Sequence, residues 1–229
     1  MKRDFILIDD IPVKLLAGKR KSIRLSWNRR EQVIHCLYPR RISAEYLQGF
    51  LEKRKTRIRM IAAQALTPED GAVLLYRGEP YRLLFTPAGR EGDFFRDDTA
   101  GIIRARFPQD DDLFFSRWKS YLNREAPHCF EERTALYEEM TGHKAARWRF
   151  RAMCSRWGSA SPRGVMTLNT LLVMAPSSVA DYVILHELAH MKAPDHSPRF
   201  WNEVGQYMPD YRLRRAWLRE NGVRLLSLY

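Results

Sequence analysis

The sequence predicts an α+β protein. A β-rich region with one long helix fills residues 1–107, and a mixed helix and strand domain fills residues 108–229. Three observations point to it. Short apolar segments with period-two alternation, separated by turn residues, crowd the first hundred positions. Arg147-Trp148-Arg149-Phe150-Arg151-Ala152 alternates charged and apolar side chains and reads as the clearest strand in the chain. His186 to His196, H-E-L-A-H-M-K-A-P-D-H, follows an apolar stretch of helical length.

In chain order, Phe5–Ile8 is short and apolar, and Asp9-Asp10 marks a turn. Ile11–Leu16, Ser22–Trp27 and Gln32–Leu37 follow as strands, with Ile23, Leu25 and Trp27 alternating as on a sheet with one wet face. Ser43 begins a helix expected to run to about Ala65, with Leu47, Phe50, Leu51, Ile58, Ile61 and Ala62 as its apolar stripe. Val73–Arg77 and Tyr81–Phe85 flank Gly78-Glu79-Pro80 as a hairpin, Pro87–Asp98 reads as a loop, and Ile102–Phe107 as a strand. Asp110 to about Thr141 is helical, with Pro127 expected to kink or divide it and Gly142 to stop it. Ser155–Ser161 reads as an edge or turn, and Gly164–Leu168 as a returning strand. Ser178 and Asp181 give an S-x-x-D helix start, and Pro194 a stop. Two short helices close the chain, around Phe200–Tyr207 and Leu213–Leu218.

The net charge of +12 suits a polyanion, either nucleic acid or an acidic protein, but a charged surface that is merely solvated gives the same number. Lys53, Arg54, Lys55, Arg57 and Arg59 read in both ways. Cys36, Cys129 and Cys154 lack any C-x-x-C spacing and are expected to be reduced thiols of a cytoplasmic protein. His35 and Cys36 are expected to be structural. The first residues do not read as a secretory signal, and no apolar run approaches membrane-spanning length.

His186 and His190 are four apart, so on a helix they share a face and can bind one ion. Glu187 sits about 100° around the axis, near that ion without ligating it. His196 follows after the helix stop. Three imidazoles around Zn²⁺ leave a fourth position for water, as in a catalytic zinc site. Glu203 is the alternative third ligand. Asp195 reads either as an orienting partner of a ligand or as a turn cap.

Ser155-Arg156-Trp157-Gly158-Ser159, Leu168-Asn169, residues 181–190 (D-Y-V-I-L-H-E-L-A-H) and residues 195–201 (D-H-S-P-R-F-W) together resemble the YgjP-like predicted metal-dependent hydrolases, relatives of the SprT and WLM zincin-like metalloproteases. Residues 78–83 resemble that family's N-terminal hairpin. The resemblance implies a zincin-like metalloprotease domain behind the β-rich region, with His186, His190 and His196 carrying zinc and Glu187 as the catalytic acid–base. The family usually has Cys where this chain has Ala160. The spacing from His186 to His196 also matches the metzincin motif, but Ala193 replaces its Gly.

The expected activity is that of a zinc metallopeptidase, in which a zinc-activated water attacks a peptide or protein substrate and Glu187 is the general base. Arg156 is the candidate for the oxyanion, with a salt bridge or a surface charge as its other reading. Trp157 and Gly158 are candidates for shaping substrate binding, though Trp157 also reads as core. The alternatives are a DNA-associated protease of SprT type, or a nucleic-acid-binding protein with a non-catalytic zinc site.

Overall fold

A computed structural model describes residues 5–28, 31, 33–63, 68–86, 94–153 and 156–226. The chain divides into two compact units, residues 1–66 and 67–227, so the boundary expected at 107 lies inside the second unit.

In the first unit, β1 (Phe5–Ile8), β2 (Ile11–Gly18), β3 (Arg24–Asn28) and β4 (Val33–Pro39) form one sheet in the order β1-β2-β4-β3. β1 and β2 pair antiparallel, and Asp9 and Asp10 both have positive φ in the two-residue turn between them. Aspartate tolerates that conformation, which matches the twist of the flanking strands. β4 pairs parallel with β2 and antiparallel with β3. β3 is an edge strand and every residue in it is half-buried, so its alternation does not sort into one wet and one dry face.

The helix expected over 43–65 is two helices, α1 (Ala44–Glu52) and α2 (Lys55–Ala63). Leu47, Leu51, Ile58 and Ile61 are buried, but Arg54 stands where a continuous stripe needs an apolar side chain. The chain turns there, and the Arg54 guanidinium stacks 3.8 Å from the Phe50 ring centroid instead of entering the core. Cys36 is fully buried and its thiol is pushed up to about 11 by that burial, which fits a structural residue.

The second unit opens with β5 (Val73–Tyr76), β6 (Glu79–Phe85), β7 (Phe94–Asp97) and β8 (Ile102–Ala105), in the sheet order β5-β6-β8-β7. The hairpin turn is Arg77-Gly78, with both φ positive; Gly78 also lies against Pro176, where a Cβ would sit 2.9 Å from its Cα. β7 falls inside the expected loop at 87–98, and residues 87–93 lie outside the described residues. Phe94 makes it a strand by packing against Phe107, Phe114, Trp118 and Tyr121, while Phe95 faces out.

Helix α3 (Asp111–Thr141) runs through Pro127 undivided. Its apolar face, with Phe114, Trp118, Leu122, Ala126, Phe130 and Tyr137, is buried along the whole length, which offsets the hydrogen bond lost at proline. Asp110 caps it through the Leu113 N–H, and Gly142 ends it at φ 70°. β9 (Arg147–Arg151), β10 (Gly158–Ala160) and β11 (Val165–Asn169) form a three-stranded sheet in the order β10-β11-β9. β10 is therefore an edge strand within the expected turn at 155–161. Residues 154 and 155, including Cys154, lie outside the described residues. A 3₁₀ turn at Thr170–Met174 leads to α4 (Ser177–Ala189), followed by α5 (Pro198–Tyr207) and α6 (Tyr211–Leu226).

Asp181 does not cap α4 as the S-x-x-D pattern suggested. The helix begins after Pro176 with no side-chain cap, and the buried Asp181 carboxylate accepts both arms of the Arg133 guanidinium from α3. That bidentate pair ties α4, with its histidines, to the longest helix. Among the described residues, no helix is long and apolar enough to cross a membrane.

Candidate metal centre

α4 carries His186 and Glu187 in its last turn, and His190 is the residue that caps its C-terminal end. The chain leaves the helix at His190, turns through Pro194, and returns His196 to the same place. The ligand-capable atoms of His186, His190 and His196 lie within 4.8 Å of one another. His196 Nε2 is 3.1 Å from His186 Nε2. Two ring nitrogens this close can share a proton or a cation. Burial, then the neighbouring His190 and His196, hold His186 in its neutral form, with its pKa down to about 3. His190 Nδ1 lies 3.3 Å from the Ala193 carbonyl, which can only accept, so Nδ1 carries the proton and Nε2 is left free. Three imidazoles with converging ring nitrogens fit a divalent metal of the zinc type.

Phe200 of α5 is fully buried under this cluster, with its ring centroid 4.6 to 4.9 Å from those of the three histidines. Trp201 lies beside it, stacked on His196 at 5.8 Å. Tyr182, one turn before His186, places its hydroxyl 3.5 Å from His186 Nδ1.

Glu203 stands apart from the cluster. Its buried carboxylate accepts from Lys192 and lies 3.3 Å from His143 Nε2, tying α5 to the loop between His190 and His196. Asp195 caps that loop, accepting from the Ser197 N–H at 3.3 Å.

Glu187 is 5 % exposed and, among the described residues, has no hydrogen-bond partner. Burial raises its carboxyl to about 7, against the opposing positive charge of Arg156. Gly158 lies directly against it, for a Cβ there would fall 2.3 Å from Glu187 Oε1. Trp157 is half-buried and packs on Gly222 of α6. Arg156 is exposed, with no carboxylate partner among the described residues.

Asn169 holds this segment in place. Fully buried, it accepts from the Met153 N–H, donates to the Met153 and Arg156 carbonyls, and donates its own N–H to the Trp157 carbonyl. Its place in the Leu168-Asn169 motif was visible in the sequence; its clamp on Met153, Arg156 and Trp157 was not. Phe200 and Tyr182 were likewise readable only as helix-face residues.

Residues 21–221 match the family model for the YgjP-like, metallopeptidase domain. Among solved structures, the metallopeptidase zymogen of Pyrococcus abyssi abylysin is 26 % identical over 40 % of this chain and 91 % of its own, with a TM-score of 0.36. The zymogen of Methanocaldococcus jannaschii jannalysin is 21 % identical over 39 % of this chain and 90 % of its own, with a TM-score of 0.35. No curated protein matches the chain.

Proposed function

This chain belongs to the YgjP-like metallopeptidase family and is a metal-dependent peptidase; from that premise we propose that His186, His190 and His196 hold zinc and that Glu187 is the general base. One observation carries the reading: three converging imidazoles stand beside a buried carboxyl that has no hydrogen-bond partner among the described residues. A zinc ion bound there supplies a Lewis acid for the scissile carbonyl and makes water more acidic.

The remaining steps fall to the chain's own residues. Glu187, with its carboxyl raised towards neutrality, takes the proton of the attacking water and delivers it to the leaving amine nitrogen. β10 lies at a sheet edge beside α4, and its free backbone groups suit an extended peptide added as a further strand. Gly158 keeps that strand close to Glu187, Trp157 braces it against α6, and the Arg156 guanidinium faces the developing oxyanion. Cys36 and Cys129 are free thiols, which supports a reducing, cytoplasmic setting.

The test is a mixed peptide library incubated with metal-stripped protein before and after addition of zinc. Internal cleavage that appears only with zinc is expected. A folded, zinc-loaded protein that leaves every peptide intact would overturn the reading.

A second reading has its own observation. Arg147, Arg149 and Arg151 form an exposed row on β9 with no carboxylate partner among the described residues, a spacing that suits a phosphate backbone. Under that reading DNA stimulates cleavage, and the stimulation collapses between about 50 and 200 mM salt.

A further inference from the structure

We propose that Arg215, with Arg212 beyond it, forms a carboxylate-binding subsite that makes acidic peptides the preferred substrates of this centre. The consequence for turnover rests on the peptidase reading above; the consequence for binding does not.

Arg215 is an exposed residue of α6 whose guanidinium carbon lies 4.8 Å from the Trp201 ring centroid. Trp201 in turn stacks on His196 and lies 6.0 Å from His186, so the guanidinium shares its aromatic ring with two of the three clustered histidines. A guanidinium resting on an aromatic face keeps its N–H edge free to take a carboxylate by two parallel hydrogen bonds.

Other arginines of the same helix are engaged, Arg224 by donating to the Val73 carbonyl. Arg214 is bonded to Asp210, and Arg219 lies 3.6 Å from Glu220. Among the described residues Arg215 and Arg212 have no carboxylate partner, although each rests on an aromatic ring. An open groove of about 680 Å³ is lined by Trp201 together with Asn202, Gly205, Tyr211 and Arg212 and by no acidic residue. An anionic side chain of a peptide crossing the centre would meet Arg215 at Trp201 and Arg212 in the groove. The net charge of +12 favours the same class of partner over a wider range.

The ligand chemistry is a carboxylate, which a peptide offers either in an Asp or Glu side chain or at its C-terminus. Labelled peptides of three kinds separate the sources: acidic with an amidated end, the Gln and Asn isostere with an amidated end, and the isostere with a free end. Fluorescence anisotropy on zinc-loaded protein carrying Glu187→Gln measures Kd for each without turnover. At least tenfold tighter binding of a carboxylate peptide than of the amidated isostere is expected. Arg215→Ala removes the difference, Arg215→Lys restores part of it, and Arg215→Glu reverses it in favour of lysine-containing peptides. Equal Kd values across the three kinds, or a preference that survives Arg215→Ala, would overturn the proposal. With Glu187 intact, kcat/KM follows the same order. A binding preference without any cleavage would count against the peptidase reading and leave the subsite standing.

Discussion

Gly158 and Glu187 compete for one volume. A Cβ on Gly158 would lie 2.3 Å from Glu187 Oε1 and 2.7 Å from its Cγ and Cδ, so the carboxyl keeps its place only because residue 158 has no side chain. Gly158 has an ordinary negative φ, and what requires glycine is the close approach, not the backbone conformation.

Gly158→Ala is therefore expected to push Glu187 out of position without touching the histidines. A displacement of this size lowers kcat by about 100-fold. Zinc content, measured by elemental analysis, stays at the wild-type level. Loss of zinc together with activity would mean that the substitution had disturbed the whole centre.

Asn169 makes four hydrogen bonds to the segment that leads into Gly158. Asn169→Ala leaves buried backbone groups of Met153 and Arg156 without partners and is expected to cost about 3 kcal/mol of stability. Urea unfolding measures the loss, and activity should fall further than stability does, because Arg156 and Gly158 are no longer held against α4. A variant as stable as wild type would show that water replaces the asparagine.

Glu203 gives the expected pH dependence. Burial works against its charge, but the hydrogen bonds from Lys192 and then His143 outweigh it and hold the carboxyl below its ordinary value of 4.5. A carboxyl depressed in the folded state stabilises above its unfolded value, and that contribution disappears as pH falls through the lower folded value. Glu203→Gln should therefore be less stable than wild type at pH 7, with the difference shrinking below about pH 4.5. Thermal melts of both metal-free proteins across pH 3 to 7 check it; a gap independent of pH would assign the effect to packing.

The histidine cluster was the most legible part of the sequence because its geometry is local. A four-residue spacing on a helix places His186 and His190 together, and a proline-bounded turn returns His196. Glu203, weighed as a rival ligand, is the right residue type at a plausible distance, and only the positions of Lys192 and His143 show where its charge is used. Asp181 was misread for the same kind of reason: a capping pattern is local, whereas its partner Arg133 lies 48 residues away. β7 and β10 hid in polar, glycine-containing stretches because their pairing with β8 and β11 supplies the order that their composition does not. The break between α1 and α2 falls at Lys53 and Arg54, where a charge stands at a stripe position that periodicity averaged away.

The most direct test compares zinc content and peptide cleavage in wild type, Glu187→Gln and His196→Ala. Near-stoichiometric zinc in wild type and Glu187→Gln, its loss from His196→Ala, and cleavage by wild type alone are expected. Cleavage retained by Glu187→Gln, or zinc retained by His196→Ala, would contradict the roles assigned to these residues.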